Sequence, residues 1–253
     1  MPEQTLTWFA PPDQLNLGPR DVHIWRTSLD QPPEIIECFR RLLSTDELNK
    51  ADRYHFEKDR RHFTVARGVL REVLSRYLGI SPADLRFNYS DYGKPGLASA
   101  NNKEFKFNLA HSGGVALYAF TTVGEVGVDV EFIRPEFTGD EIARRYFSAT
   151  EVASLSKLSA VVRQHAFFDC WTRKEAFIKA KGLGLSLALD QFDVTLTPGE
   201  SPALLRTGWN EAEAARWSLR AIEVGDQFAG AIALEAHDWE AYFWEYDKET
   251  SRG

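Results

Sequence analysis

The sequence predicts an α+β fold made of two similar α/β subdomains, residues 1–123 and 124–253, related by an internal pseudo-twofold duplication. Both halves contain, in the same order, a serine-to-glutamate capping pattern, a long helix that ends at a glycine, and strands. A shift of 103 positions places Gly79 on Gly182, and a shift of 104 aligns the two capping patterns. Clefts between such halves are favoured binding sites, so we expect the active site at their interface.

Composition bounds the class of protein. At 253 residues the chain can bury a full core, and its 43% hydrophobic and 13% aromatic content excludes wholesale disorder. The net charge of −7 argues against non-specific nucleic-acid binding. Cys38 and Cys170 are the only cysteines and form no CxxC, which disfavours zinc and disulfide frameworks. With no secretory signal and no apolar run of about 20 residues, we expect a cytoplasmic protein with no membrane partner. The oligomeric state is not readable from the sequence, but an internally duplicated chain can form its cleft alone, so we expect a monomer.

The first half contains clear local signals. VHIW at positions 22–25 favours a strand. Ser44, followed three residues later by Glu47, is a capping box that starts a helix. Apolar residues at helical spacing then predict a longer helix that Gly79 ends. The predicted elements are an irregular proline-rich arm at 1–20, a strand at 22–25, helices from 45 and over 59–78, a strand at 85–89, a turn at 91–96, strands at 105–109 and 115–122, and between them a turn at 111–114.

The second half repeats this order. Ser148 and Glu151 form the second capping pattern, and Gly182 ends the second long helix. The predicted elements are a strand at 126–132, helices from 149 and over 163–181, a strand at 192–196, and a closing strand pair at 217–223 and 228–234.

The run GVDVE at 127–131 places two carboxylates on one side of a strand. Residues i and i+2 face the same way, so Asp129 and Glu131 project together. Adjacent carboxylates repel each other unless a proton or a cation lies between them. Oxygen ligands with open positions for phosphate suit Mg²⁺ or Mn²⁺ better than zinc. For this motif alone, a solvated edge strand is the stronger alternative.

The run FDCWTRKEAFIKAKGLGL at 168–185 mixes aromatic residues with a carboxylate and lysines. Glu175 becomes a third ligand if its helix packs beside the GVDVE strand. The alternative is an ion pair with Lys179, four residues further on. Lys174 and Lys181 stay open between a role in the site and a solvated position.

Two polar segments of the first half offer candidate phosphate contacts. FNLAHSGG at 107–114 ends a strand in a predicted turn, where His111 and turn amides can bind an anion, or where the turn is simply polar. A Ser/His hydrolase is disfavoured because GxSxG is missing. YGKPG at 92–96 presents Lys94 on a rigid turn, and Lys50 lies on the first capped helix. Neither common nucleotide loop, GxxxxGK[ST] or GxGxxG, is present.

Taken together, YGKPGL, FNLAHS, GVDVE and WTRKEAFIKAKGLGL, in this order, resemble the 4′-phosphopantetheinyl transferases of the Sfp type. The resemblance runs from about Leu43 to Leu234. It implies an enzyme that moves the phosphopantetheine arm of coenzyme A onto a serine of an apo acyl or peptidyl carrier protein and releases adenosine 3′,5′-bisphosphate. It also implies Mg²⁺, or Mn²⁺, as cofactor.

The resemblance assigns roles to particular residues. The metal ligands that it implies are Asp129, Glu131 and Glu175. Glu175, Lys179 and Asp129 are the implied catalytic residues, with Glu175 as the base for the serine hydroxyl and Lys179 at the pyrophosphate. The positions implied at coenzyme A are Lys50, Lys94, Pro95, Asn108, Ala110, His111 and Lys179.

Two departures from the family pattern stand out. Ala110 replaces a residue that is often serine, so only a backbone contact can remain there. A basic position on the long first-half helix aligns with His62, and which of Arg60, Arg61 and His62 meets the 3′-phosphate stays open.

Two other functions stay open. A metal-dependent phosphohydrolase using the same carboxylates would break down coenzyme A without a protein acceptor. A non-catalytic module that binds carrier proteins is disfavoured by the intact acidic residues and Lys179. The pathway of the carrier, whether fatty acid, polyketide or peptide, is not readable from the sequence.

Overall fold

The computed structural model describes residues 7–98, 104–137 and 139–248. Its mixture of helices and strands confirms the predicted α+β class. The helices of the described residues are α1 (Pro33–Arg40), α2 (Thr45–Ala51), α3 (Glu57–Leu78), α4 (Asp140–Tyr146), α5 (Ala149–Ser156) and α6 (Ala160–Lys181). The strands are β1 (Asp21–Ser28), β2 (Phe87–Tyr89), β3 (Pro95–Leu97), β4 (Lys106–Ser112), β5 (Val115–Thr121), β6 (Val126–Phe132), β7 (Phe192–Val194), β8 (Leu204–Thr207), β9 (Ser218–Ala221), β10 (Phe228–Leu234) and β11 (Glu240–Glu245). Residues 1–6 of the predicted arm lie outside the described range.

Two sheets carry the fold. A four-stranded sheet has the order β11-β1-β5-β4, and a three-stranded sheet has the order β6-β10-β9. Two short pairs, β2-β3 and β7-β8, lie beside them. The last strand of the described chain, β11, pairs in parallel with β1 and so completes the sheet of the first half. The domain boundary between residues 123 and 124 stays a prediction.

Each larger sheet packs against one long helix. Helix α3 buries Val69, Leu70 and Leu74 with Trp25 and Tyr118 of the first sheet. In the same way α6 buries a row of apolar residues against β6 and β10. Both helices have 22 residues and end at a glycine in the left-handed conformation. Glycine is favoured there because it has no Cβ to clash with the carbonyl.

Both capping boxes are confirmed, and each glutamate has a second bond to the long helix of its half. Glu47 caps α2 and accepts bonds from Arg67 and Arg71 of α3. Burial opposes ionisation of Glu47, but the two guanidinium groups and the cap amide hold its pKa below the usual range.

The corresponding pair in the second half settles the position of one lysine. Glu151 caps α5 and binds Lys174 Nζ at 2.8 Å. This lysine is fully buried and also donates to the carbonyls of Leu189 and Phe192. Lys174 therefore belongs to a buried ion pair of the core, and it lies neither in the predicted site nor at the surface. The two pairs are alike in arrangement, and the internal duplication itself stays a prediction.

The structure corrects three local predictions. Pro95 and Gly96 belong to strand β3, paired with β2, rather than to a turn. His111 and Ser112 extend β4, so the turn between β4 and β5 is reduced to two glycines of positive φ. The predicted closing pair is followed by β11. Helices α1 and α4 and strands β3, β8 and β11 were not anticipated, because they are short or are stabilised by distant partners.

None of the helices in the described ranges is both long and apolar enough to cross a bilayer.

Gly127 sets the closest approach between β6 and α6. A Cβ at this position would lie 2.0 Å from the Ala176 carbonyl oxygen and 2.3 Å from the Ala180 amide nitrogen. Both atoms belong to helix backbone, which cannot move aside as a flexible side chain can. The strand and the helix can therefore touch only because residue 127 has no side chain.

We expect Gly127→Ala to destabilise the protein by about 1–3 kcal/mol or more, because the added methyl overpacks the contact between β6 and α6. Urea unfolding followed by tryptophan fluorescence measures this loss. Gly96→Ala is the matched control, since a Cβ there meets nothing within 4 Å. Equal losses in the two variants would contradict the close-approach argument.

A second prediction concerns His23 on β1, which is 4% exposed and lies with its Nδ1 2.7 Å from the Tyr77 hydroxyl. Burial lowers its pKa to about 4, against a smaller opposing effect of Asp21. Between pH 6.5 and about 4 the unfolded chain binds a proton that the folded chain does not. The stabilisation is therefore complete above pH 6.5 and is lost as the pH falls, by up to about 1.4 kcal/mol per pH unit.

Urea unfolding at pH 7, 6 and 5 tests this dependence in wild type and His23→Gln. The difference in unfolding free energy between the two proteins should shrink as the pH falls. His55→Gln, at an exposed histidine, controls for a general effect of removing a histidine. A difference that is the same at pH 7 and pH 5 would show that His23 is not the group responsible.

Candidate active site

An acidic cleft of about 550 Å³ lies where β6 meets α6. Asp129 and Glu131 reach it from β6, as the alternation of the strand requires. From α6 come Trp171, Glu175 and Lys179, each four residues apart and so on one face of the helix. The structure thus brings the three predicted carboxylates and Lys179 to one cleft. The other lining residues are His111, Ile142, Tyr146 and Leu189.

Asp129 is the most buried of the three carboxylates. Its Oδ1 accepts a hydrogen bond of 2.6 Å from Lys179 Nζ, and its Oδ2 is buried without a hydrogen-bond partner. Burial raises the pKa of Asp129 to about 7, although the Lys179 ammonium lowers it. The charges of Glu131 and Glu175 add to the rise. The positive charge of Lys179 therefore does not fully offset the effects of burial and of the two neighbouring carboxylates on Asp129.

The other two carboxylates are half-buried. Burial raises the pKa of Glu175, Lys179 opposes the rise, and the charge of Glu131 adds to it. Glu131 accepts a hydrogen bond of 2.9 Å from the Ser112 hydroxyl of β4.

The donor set of this cleft fits a hard divalent cation. Within residues 7–98, 104–137 and 139–248, no group of three His, Cys, Asp or Glu side chains lies in an arrangement that could hold a metal ion. Asp129 is bonded to the Lys179 ammonium. Yet three carboxylates line this cleft beside His111, and one buried oxygen of Asp129 lacks a hydrogen-bond partner. Mg²⁺ and Mn²⁺ prefer carboxylate ligands and leave positions open for phosphate oxygens.

A second cleft of about 450 Å³ adjoins the first, and His111, Glu175 and Lys179 line both. Residues of β3, β4, α2, α3 and α6 form its walls, so both halves of the chain contribute. All seven residues predicted at coenzyme A line it: Lys50, Lys94, Pro95, Asn108, Ala110, His111 and Lys179.

The basic side chains of this second cleft differ in how many partners they already have within the protein. Lys50 lies with its ammonium 5.5 Å from the ring centre of Phe63. His111 lines the cleft. Burial lowers its pKa, and the charges of Lys179 and His62 lower it further.

Lys94 is committed to the protein. Its Nζ donates to the Ala180 carbonyl at 2.8 Å, to Glu125 at 3.2 Å and to the Val126 carbonyl at 3.3 Å. Three acceptors use all three N–H groups of an ammonium. Its side chain thus anchors the 90–95 loop to the start of β6 and the end of α6.

The basic run at the start of α3 points elsewhere. Arg61 pairs with Glu57, and His62 Nε2 lies 2.8 Å from Asp30. Neither these two nor Arg60 appears among the described residues that line the 450 Å³ cleft.

Arg67 lines that cleft instead, four residues after Phe63 on the same face of α3. Helical spacing from Phe63 was the signal available for it. Three lining tyrosines were also missed: Tyr54, Tyr89 and Tyr92. Their positions depend on tertiary packing of short segments. Lys181, left open by the sequence, pairs with Glu213 at 2.7 Å on another face of α6.

Comparison with known proteins identifies the family. A family model described as the 4′-phosphopantetheinyl transferase superfamily matches residues 125–237, and one described as 4′-phosphopantetheinyl transferase, N-terminal, matches residues 20–122. The protein named 4′-phosphopantetheinyl transferase HetI, from Nostoc sp., is 38% identical over 95% of this chain and 98% of its own length. The chain belongs to the 4′-phosphopantetheinyl transferase superfamily.

The Sfp protein, another relative, agrees with this assignment. The 4′-phosphopantetheinyl transferase Sfp of Bacillus subtilis is 33% identical over 69% of this chain and 77% of its own. Among solved structures, the holo-[acyl-carrier-protein] synthase of Thermotoga maritima matches 46% of this chain and 64% of its own at 24% identity, with a TM-score of 0.37. The resemblance to phosphopantetheinyl transferases is confirmed, and this chain is an enzyme of that class.

The anchoring role of Lys94 is testable in this transferase. Lys94→Met keeps the aliphatic stem and removes the ammonium, so we expect a loss of about 1–3 kcal/mol of stability, since charged hydrogen bonds to buried carbonyls disappear. Thermal and urea unfolding measure it. Lys106→Met is the matched control, because Lys106 pairs with the same Glu125 at 2.6 Å but at the surface, where ion pairs contribute about 0–1 kcal/mol.

Titration with coenzyme A distinguishes the two roles of Lys94. If the side chain binds a phosphate directly, Lys94→Met will weaken coenzyme A binding without loss of stability. That result would contradict the anchoring role.

Proposed function

We propose that this transferase moves the 4′-phosphopantetheine arm of coenzyme A onto a serine hydroxyl of an apo acyl or peptidyl carrier protein and releases adenosine 3′,5′-bisphosphate. One observation carries the proposal. A cleft lined with cations and aromatic rings and a cleft lined with carboxylates share His111, Glu175 and Lys179. Coenzyme A joins an anionic nucleotide to a pyrophosphate, and its two parts match the two clefts in chemistry.

The nucleotide of coenzyme A belongs in the 450 Å³ cleft on this proposal. Lys50 and His111 supply positive or hydrogen-bonding groups, and tyrosine rings offer surfaces for the adenine. Arg67 lines the same cleft, but its charge is already paired with Glu47. Asn108 and Ala110 contribute through the β4 backbone that forms the wall. Ala110 has no hydroxyl, so any contact to phosphate at that position is through its amide.

The pyrophosphate then lies at the junction of the clefts. Asp129, Glu131 and Glu175 would hold Mg²⁺ or Mn²⁺, which when bound neutralises charge on the pyrophosphate oxygens. Lys179, whose ammonium already lies between the clefts, stabilises the negative charge that develops on the departing bisphosphate.

Glu175 is the proposed base for the serine hydroxyl of the carrier. Its raised pKa, caused first by burial, makes it a better proton acceptor than a solvated glutamate. It lines both clefts, so the same carboxylate can approach the hydroxyl and the pyrophosphate. The serine oxygen bonds to the β-phosphorus of coenzyme A as the bond from that phosphorus to the bridging oxygen breaks. The bridging oxygen leaves with adenosine 3′,5′-bisphosphate, and the serine proton passes to Glu175.

The carrier protein approaches from the open side of the acidic cleft on this proposal. Ile142 and Tyr146 of α4 and Trp171 of α6 give that side an apolar wall, and the Arg145 guanidinium lies over the Tyr146 ring. Local basic and apolar contacts of this kind are needed, because an enzyme of net charge −7 does not attract an acidic carrier as a whole.

Mass spectrometry of apo carrier proteins tests the proposal. Incubation with coenzyme A and Mg²⁺ should add one phosphopantetheine arm to the carrier, and adenosine 3′,5′-bisphosphate should appear in equal amount. Breakdown of coenzyme A without a carrier would instead indicate a phosphohydrolase and overturn the proposal. A panel of fatty-acid, polyketide and peptide carriers gives the range of acceptors.

The carboxylates are tested by Asp129→Asn and Glu175→Gln, which keep size and remove charge. Each should lower transfer by about 100-fold or more, because charge stabilisation at the pyrophosphate is lost. Glu213→Gln is the matched control, since Glu213 is also a buried carboxylate bonded to a lysine of α6. Transfer at wild-type rate in either folded site variant would contradict the assigned roles.

A further inference from the structure

Strand β6, which carries two of the acidic residues, is joined to β4 through side chains. The two strands belong to different sheets and share no backbone ladder. Asn108 Oδ1 accepts from the Val128 amide at 2.9 Å, and Ser112 Oγ accepts from the Phe132 amide at 3.1 Å. Both bonds join residues 20 positions apart, so β4 and β6 run in the same direction at this seam.

These two bonds bracket the acidic pair. Val128 and Phe132 flank the segment that contains Asp129 and Glu131, and their amides point away from the partner strand β10, towards β4. The seam therefore fixes the backbone of β6 on both sides of the acidic residues.

The bond at Ser112 also reaches a carboxylate. Ser112 Oγ accepts from Phe132 and donates to Glu131 Oε2 at 2.9 Å. A hydroxyl has one proton and two lone pairs, so accepting the amide proton on one side leaves its own proton for the carboxylate on the other. This bond holds one carboxylate oxygen of Glu131 towards β4.

We infer that Ser112 is a positioning residue that holds Glu131 in the orientation needed to bind the divalent cation, an inference that rests on the metal site of the proposed function. A neighbour that orients a metal-ligating carboxylate alters metal affinity without touching the metal. Ser112 acts through Glu131 and contacts neither the nucleotide nor the serine acceptor in this scheme.

Titration of the full chain with Mn²⁺ alone, followed by electron paramagnetic resonance of the free ion, measures this without an activity assay. Ser112→Ala should raise the dissociation constant for Mn²⁺ by about 10-fold, because Glu131 loses its only orienting hydroxyl among the described residues. Ser112→Thr keeps a hydroxyl on a β-branched side chain that suits a strand, and it should stay within about threefold of wild type.

Ser218→Ala is the matched control for loss of a structural hydroxyl. Ser218 also accepts one bond, from Trp239 Nε1, and donates one, to the Ala236 carbonyl, each at 2.7 Å. It lies on β9, two strands from the site, and its removal should lower stability while leaving Mn²⁺ binding unchanged. If Ser112→Ala does not fold, Ser112→Cys, with a weaker donor, takes its place and should also weaken binding.

The outcomes separate this inference from the proposed function. Mn²⁺ binding by wild type that Ser112→Ala leaves within about twofold overturns the positioning role alone. Equal weakening in Ser112→Ala and Ser218→Ala also overturns it, because a general loss of stability would then account for both. A wild-type chain that takes up no Mn²⁺ overturns the metal site and the inference together.

Discussion

The contact of Gly127 with helix α6 is the constraint on which the site depends. Backbone atoms of β6 and α6 touch at Gly127, and the site begins two residues further along the strand. The Asp129 carboxylate then lies within hydrogen-bond distance of the Lys179 ammonium, and Glu131 lines the same cleft as Glu175. The spacing of the charges thus follows from a backbone contact.

Like charges placed in one cleft cost free energy, and the surrounding structure offsets that cost only in part. Among the residues that the structure describes, Lys179 is the only cation bonded to Asp129, whose pKa is raised to about 7. Lys174, on the same helix as Lys179, is by contrast fully bonded, because its ammonium contacts Glu151 and two backbone carbonyls. The contrast separates charges that stabilise the core from charges that remain available to a ligand. Functional sites are often where such a shortage is left in place.

Local signals in the sequence were enough for much of the fold. Ser44 and Ser148 predicted the starts of α2 and α5 because a capping box is complete within four consecutive residues. Strand β6 was predicted with its observed bounds, because GVDVE alternates between core and site. Strand β11 was missed because its partner β1 lies at the other end of the chain, and no local pattern encodes that pairing. The charged residues divide in the same way. Asp129 and Glu131 share a face by strand geometry alone, whereas the burial of Lys174 and the anchoring of Lys94 depend on carbonyls of segments distant in sequence.

The parallel pairing of β11 with β1 has a consequence for synthesis of the chain. Residues 21 and 240 are register partners, so β1 lacks one neighbour until nearly the whole described chain has left the ribosome. Contacts between residues so far apart in sequence close slowly, because a long loop must be ordered first. The helix α3 and its antiparallel strands can collapse early, but one flank of their sheet stays open to the solvent and to other nascent chains. Completion of the first half of this transferase therefore waits for the end of the second.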